Sequence, residues 1–154
     1  TIASNLRTGD TDASDETLLR AAEIAQAKEF IDQKPLGLAE PISQGGTNVS
    51  GGQKQRLSIA RALVKDAPVL VFDDSFSALD FKTDAALRHA LHAVTGETTV
   101  LIVAQRISTI MNADQIIVLE EGRMVGRGTH AELMENCAAY REIALSQLSK
   151  EELA

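Results

Sequence analysis

Apolar residues recur at helical spacing through Leu18, Ala21, Ala22 and Ala25, which predicts an amphipathic helix starting behind Ser14 or Asp15 and running to about Lys34. Pro35 and Gly37 stop it, and residues 41–46 continue as irregular chain. The 14 residues ahead of it, rich in Thr, Ser, Asp and Gly, predict a loop or frayed lead-in. A second helix is expected from near Ser50 to before Pro68, with Leu57, Ala60, Leu63 and Val64 as its buried stripe. The pattern then changes to short apolar runs alternating with helical spacing, as parallel βαβ units do. Val69 to Phe72 reads as a strand buried on both faces. Leu87, Ala90, Leu91 and Val94 give a helix closed by Gly96, and Thr98 to Ala104 gives the next strand. A short helix over Ile107 to Asn112 precedes two runs, Ile116 to Leu119 and Arg123 to Val125, which flank the hairpin signal Glu120-Glu121-Gly122. Thr129 and Glu132 have capping-box spacing and open a helical tail whose last ten or so residues, with Lys150, Glu151 and Glu152, are expected to fray.

Composition narrows the function classes. The chain has 154 residues, 44% of them hydrophobic, enough to build a core. Its apolar runs fall far short of the ~20 residues that a membrane-spanning helix needs. A net charge of −7 and five aromatic residues, all Phe or Tyr, leave neither the basic stripe nor the stacking platform of a general nucleic-acid binder. The lone Cys137 has no internal disulfide partner and no secretory signal is visible, so a reducing, cytoplasmic setting is the expectation. The chain opens on Thr1 rather than Met and is expected to be a piece of a longer protein.

Two stretches carry chemistry. Val49-Ser50-Gly51-Gly52-Gln53 stands directly ahead of the second predicted helix. A helix start exposes unpaired N–H groups at the positive end of the dipole, glycines let a phosphate oxygen approach the backbone, and Ser50 adds a hydroxyl donor. The same pentapeptide also reads as an ordinary Ser cap with a tight turn. Gly46 to Gly52 approaches the phosphate-cradling pattern G-x-x-x-x-G-K-[ST], but Gly52 stands where lysine is required, so it is not a P-loop. The second stretch is Val69 to Phe72 followed by Asp73 and Asp74. Carboxylates at the carboxyl end of a parallel strand suit a hydrated Mg²⁺ bound to nucleotide phosphate, and one beside it can orient a water. Acidic residues also begin ordinary loops.

In this order, Val49-Ser-Gly-Gly-Gln-Lys-Gln-Arg, Ile59-Ala-Arg-Ala-Leu, Val69-Leu-Val-Phe-Asp-Asp-Ser and Ser77-Ala-Leu-Asp resemble the nucleotide-binding domain of ATP-binding cassette transporters. Thr1-Ile-Ala-Ser-Asn-Leu, Val103-Ala-Gln-Arg-Ile-Ser-Thr, Leu119-Glu-Glu-Gly-Arg and Gly128-Thr-His-Ala-Glu-Leu look like the exporter branch. The resemblance implies an α/β fold: a partial P-loop NTPase, RecA-like core with parallel strands, plus an α-helical subdomain carrying the signature motif. Residues 1–66 would be the helical subdomain and residues 67–154 the core part and tail. It further implies ATP and Mg²⁺ as ligands, with Ser50, Gly51, Gly52 and Gln53 as the signature motif facing the γ-phosphate held by an opposing domain. Asp73 would be the Mg²⁺-associated aspartate. Ser77 to Asp80 would form the D-loop, and Gln44 would lie near the transmembrane coupling helices. The implied partners are a second nucleotide-binding domain and a transmembrane domain, at the cytoplasmic face of the cell membrane, without nucleic acid.

Three departures shape the expectation. The family's catalytic glutamate is Asp74 and its switch histidine is Gln105, which cannot carry a proton at neutral pH. Both changes fall in one half-site, which predicts a degenerate site that binds ATP but turns it over slowly, while the intact signature completes a competent site on a non-identical partner; a homodimer with Asp74 as a working base is the alternative. The family's P-loop, adenine-stacking aromatic and Q-loop would lie upstream of Thr1, so the isolated chain is expected to lack ATPase activity and to leave strand edges open to self-association. A carboxy-terminal lobe of a DNA-repair or chromosome-maintenance ATPase is a rival, although residues 1–34 show no heptads. A structural module that has lost catalysis is a third reading. His89 and His92 are read as a solvated face, Lys54, Arg56 and Arg61 as a small basic face that pairs with carboxylates or faces the dimer interface rather than touching phosphate, Cys137 as a packed or half-exposed thiol, and His130 as non-catalytic.

Overall fold

The computed structural model describes residues 1–148; the expected fraying of Lys150, Glu151 and Glu152 lies outside them. Two compact units divide the chain, Thr1–Val103 and Ala104–Ala154. The boundary expected after residue 66 falls inside the first unit, where helical sequence gives way to mixed helix and strand.

The first unit opens on α1 (Ile2–Leu6), not on the expected loop. Thr1 and Ser4 form a reciprocal cap, and Ile2 and Leu6 insert into the core, so one helical turn survives in a polar segment because two of its side chains find burial. The helix expected from Asp15 to Lys34 is also two pieces, α2 (Asp15–Ile24) and α3 (Lys28–Asp32). Ser14 caps α2 as anticipated. At its other end, the Ala27 N–H bonds the Ala22 carbonyl at 2.7 Å, the Gln26 N–H bonds Glu23 at 3.0 Å, and Gln26 sits at φ +55°. This is a Schellman-type stop built on a non-glycine residue. Arg56 Nη1 donates to the Gln26 carbonyl at 2.8 Å while its guanidinium lies over the Phe30 ring, which holds the break in place. Glycine at 26 would remove the left-handed strain. Gln26→Gly is therefore expected to raise stability by roughly 0.5–1 kcal/mol, read from the urea midpoint at unchanged m.

Short 3₁₀ turns at Gly37–Ala39 and Gln44–Gly46 lead to α4 (Gly51–Val64). Its buried residues are Leu57, Ile59, Ala60 and Val64, with Leu63 only half-buried. Next come β1 (Val69–Asp73), α5 (Phe81–Val94) and β2 (Thr99–Val103), the expected parallel βαβ unit, with Val69 opposite Thr99 and Asp73 opposite Val103. One core joins α1 to α5 with Leu70 and Phe72 of β1. Burial on both faces of the first strand is not what forms. Val69 and Val71 are 53% and 59% exposed, and Leu101 and Val103 of β2 are both 52% exposed. Within this unit the helices cover one side of the sheet, so alternate residues face in and the others are left bare.

The second unit contains α6 (Ile107–Ile110), the antiparallel hairpin β3 (Ile116–Glu120) and β4 (Arg123–Gly128), then α7 (His130–Asn136) and α8 (Ala138–Gln147). Glu121 and Gly122 are both left-handed, at φ +48° and +76°, which gives the type I′ turn that a two-residue hairpin favours. The capping box of Thr129 and Glu132 forms as expected. Cys137 is buried; a Cβ on Gly126 would stand 2.7 Å from its sulfur, so glycine is what lets the strand and the helix junction meet.

Candidate functional site

The site residues of the first unit converge on the first turn of α4 and the loop after β1. Ser50 caps α4: its hydroxyl oxygen accepts from Gln53 N–H at 3.2 Å, and its own N–H donates to Gln53 Oε1 at 3.0 Å. The cap reading and the phosphate reading are compatible, because an oxygen that accepts still has its O–H to donate. The N–H groups of Gly51 and Gly52 have no intrahelical acceptor, since they lie in the first turn. The two glycines serve different ends. A Cβ on Gly51 would meet only Ala78 Cβ at 3.8 Å, which leaves an open approach to the helix end. A Cβ on Gly52 would stand 3.1 Å from the Ala78 carbonyl oxygen, so this glycine lets the loop pack against the helix.

Asp73 closes β1, and its carboxylate is exposed. Asp74 follows at φ +48° with its N–H donating to the Val103 carbonyl at 3.0 Å, so the last ladder bond turns the chain out of the sheet. Aspartate is one of the few non-glycine residues that accept this left-handed region at modest cost. Ser77 Oγ donates back to the Asp74 carbonyl at 3.0 Å, and Phe76 and Leu79 anchor the loop in the core.

Asp80 caps α5. Its Oδ1 accepts from Thr83 N–H at 2.9 Å and its Oδ2 from the Thr83 hydroxyl at 2.7 Å, and these bonds, the backbone N–H foremost, hold the carboxyl below the usual aspartate value. A lowered folded-state value means that the cap's stabilisation is present above the unfolded aspartate pKa and fades as pH falls through the folded one. The melting temperature of wild type minus that of Asp80→Asn should accordingly be steady at pH 5–7 and decline below about pH 4.

The structure also supplies a residue that the sequence reading passed over. Gln55, one turn into α4, donates from Nε2 to the Asp74 carbonyl at 3.2 Å and to Ser77 Oγ at 3.0 Å, and its Oε1 accepts from Ala78 N–H at 2.9 Å. Its only sequence cue is its place in the Gln53-Lys54-Gln55-Arg56 run. Lys54 and Arg56 donate to backbone carbonyls of this unit, those of Gly45 and Gln26, rather than to carboxylates. Gln44 is exposed in its 3₁₀ turn.

In the second unit Gln105 is exposed and precedes α6. Gln147 of α8 brackets its backbone, donating to the Gln105 carbonyl at 2.9 Å and accepting from Ile107 N–H at 2.9 Å. His89 and His92 are exposed on α5, and the described residues hold no cluster of three or more His, Cys, Asp or Glu able to bind a metal by themselves.

A parallel βαβ unit with carboxylates at the end of its strand, beside a glycine-bearing helix start, defines a phosphate-binding α/β domain. The family model for ABC transporters matches residues 2–77. An uncharacterized ABC transporter ATP-binding protein of Mycobacterium tuberculosis is 45% identical over 150 residues, covering 96% of this chain and 25% of that protein. An ATP-dependent lipid A-core flippase of Vibrio vulnificus is 46% identical over 144 residues, 93% of this chain and 25% of the flippase. A bacterial Atm1-family ABC exporter solved with ATP bound superposes with a TM-score of 0.93 at 37% identity, over 97% of this chain and 26% of that one. The chain belongs to the ATP-binding domains of ABC transporters, of the exporter type. It spans about a quarter of the length of these relatives, and among the described residues no helix is long and apolar enough to cross a membrane.

Proposed function

We propose that this chain works within an exporter's ATPase domain, coupling ATP binding and hydrolysis to transport through an attached transmembrane domain at the cytoplasmic face of the membrane. The observation that carries the reading is the packing of Gly52 against Ala78, which sets the open, donor-rich start of α4 beside the loop that follows Asp73 and Asp74. Mg²⁺-ATP supplies the phosphoryl group and the charge that neutralises it. Ser50 Oγ–H and the N–H groups of Gly51 and Gly52 would donate to a phosphate oxygen of the ATP held by the opposing domain, and Asp73 would offer a carboxylate to the hydrated ion at this chain's own site. Asp74 and Gln105 occupy the base and switch positions, where a shortened carboxylate and an uncharged amide make a slow site. The signature residues Ser50 to Gln53 then serve a second site, on a non-identical nucleotide-binding domain. Ser77 to Asp80 border that interface, residues 1–66 form the helical subdomain, and residues 67–154 belong to the RecA-like core. The exported substrate is bound by the transmembrane part.

Calorimetric titration of Mg²⁺-ATP into this chain, beside a version extended upstream to include a P-loop, tests the division of labour. The extended chain should bind and the 154-residue chain should give no heat. Tight binding by the short chain would place the phosphate cradle within it and overturn the reading.

A further inference from the structure

Gln55 reaches from α4 into the loop after the acidic pair with all of its hydrogen-bonding atoms engaged. Its amide nitrogen gives both protons, to the Asp74 carbonyl and to Ser77 Oγ, and its oxygen takes the Ala78 N–H. An amide is required for this: a carboxylate lacks the two donors, an ammonium lacks the acceptor, and an amide one methylene shorter falls short of the loop. The contact is independent of the loop's hydrophobic anchors, Phe76 and Leu79. On the other side of the same loop residue, the Ala78 carbonyl rests against Gly52. Ala78 is thus fixed at its N–H by Gln55 and at its carbonyl by a close approach that a Cβ at position 52 would crowd.

Asp74 sits in a left-handed turn that local sequence does not enforce. Its carbonyl is bonded by Gln55 and by Ser77, which is itself bonded to Gln55. We infer that Gln55 is a positioning residue for ATP turnover, locking the phosphate-facing start of α4 and the Asp74–Ala78 loop into one rigid piece so that the Asp74 carboxylate keeps its aim. It touches no substrate and acts through the loop. This rests on the function proposed above.

The test uses the complete transporter with Gln55→Leu, which keeps the packing volume and removes all three bonds, and with Gln55→Glu, which keeps only the acceptor for Ala78. ATPase kinetics with the partner site disabled should show kcat at this chain's own site reduced about tenfold in Gln55→Leu, with KM for ATP within twofold of wild type, because aim is lost and binding is not. Hydrogen exchange at the Ala78 amide should accelerate in Gln55→Leu and stay near wild type in Gln55→Glu, whose kcat should still fall. A kcat unchanged in both variants while wild type turns over ATP overturns the positioning role alone. An equal loss in kcat and gain in KM, tracking a lower melting temperature, would mark Gln55 as a structural strut and also overturn it. A wild-type transporter that neither binds nor hydrolyses ATP would remove the functional reading itself, whatever the exchange at Ala78 shows.

Discussion

Asp74→Glu combined with Gln105→His is expected to raise ATP turnover at this chain's own site by on the order of 100-fold in the complete transporter. The Asp74 carboxylate stands back by one C–C bond, roughly 1.5 Å, and a misplacement of that order costs about 10²-fold in rate. Gln105 can donate to phosphate but cannot take up a proton near neutral pH, so the histidine restores what the amide lacks. The structure adds a counter-effect. Residue 74 has φ +48°, where aspartate is tolerated better than glutamate. The double variant should therefore gain activity while losing about 0.5–1 kcal/mol of stability. Single-turnover hydrolysis with the partner site disabled, measured beside a urea titration, separates the two effects. Unchanged turnover would remove the degenerate-site reading and leave Asp74 as a working base.

Gly9→Ala should be the most damaging single-methyl change in the first unit. Gly9 lies in the connection between α1 and α2, where a Cβ would stand well under 3.0 Å from the Arg61 backbone carbonyl oxygen. That atom is fixed in α4 and cannot swing away as a flexible side chain would. The connection must lift off the helix, and with it the Ile2 and Leu6 anchors of α1 loosen. Overpacking against backbone is expected to cost about 3 kcal/mol, lowering the melting temperature by roughly 4–8 °C for each of those kcal/mol in a unit of this size. Thermal unfolding followed by circular dichroism reads this directly. A loss below about 0.5 kcal/mol would mean that the lead-in is not packed on α4.

What could be read from the sequence was decided over a few residues. The caps at Ser14, Ser50 and Thr129 and the turn at Glu121-Gly122 each need only neighbours within one turn of chain. The strands at Val69–Asp73 and Thr99–Val103 follow from short apolar runs between breakers, and the run of motifs from Ser50 to Asp80 points to the family because spacing and residue type are preserved along the chain. The failures share a physical reason. Helix α1 exists because Ile2 and Leu6 are buried by distant elements. The break at Gln26 has no glycine or proline to announce it and is held by Arg56, 30 positions away.

The same holds at the candidate site. Asp73, Asp74, Ser50 and the glycines stand out in the sequence as candidates for phosphate and ion contacts, but the packing of each glycine does not, since only the folded chain sets Gly52 against Ala78 and leaves Gly51 open. Gln55 carries no periodic or charge signal; its importance lies in three hydrogen bonds to residues 19 to 23 positions on. The bare sides of Val69, Val71, Leu101 and Val103 were equally hidden, because an apolar run states that a strand can be covered on both faces and not which face this unit covers. Sequence by itself determined the caps, the hairpin turn, the strand positions, the family and the chemical groups on offer, since those depend on spacing and residue type. Tertiary structure alone decided which backbones touch, which carbonyl receives a distant donor and which apolar face is left open, since those depend on residues far apart in the chain meeting in space.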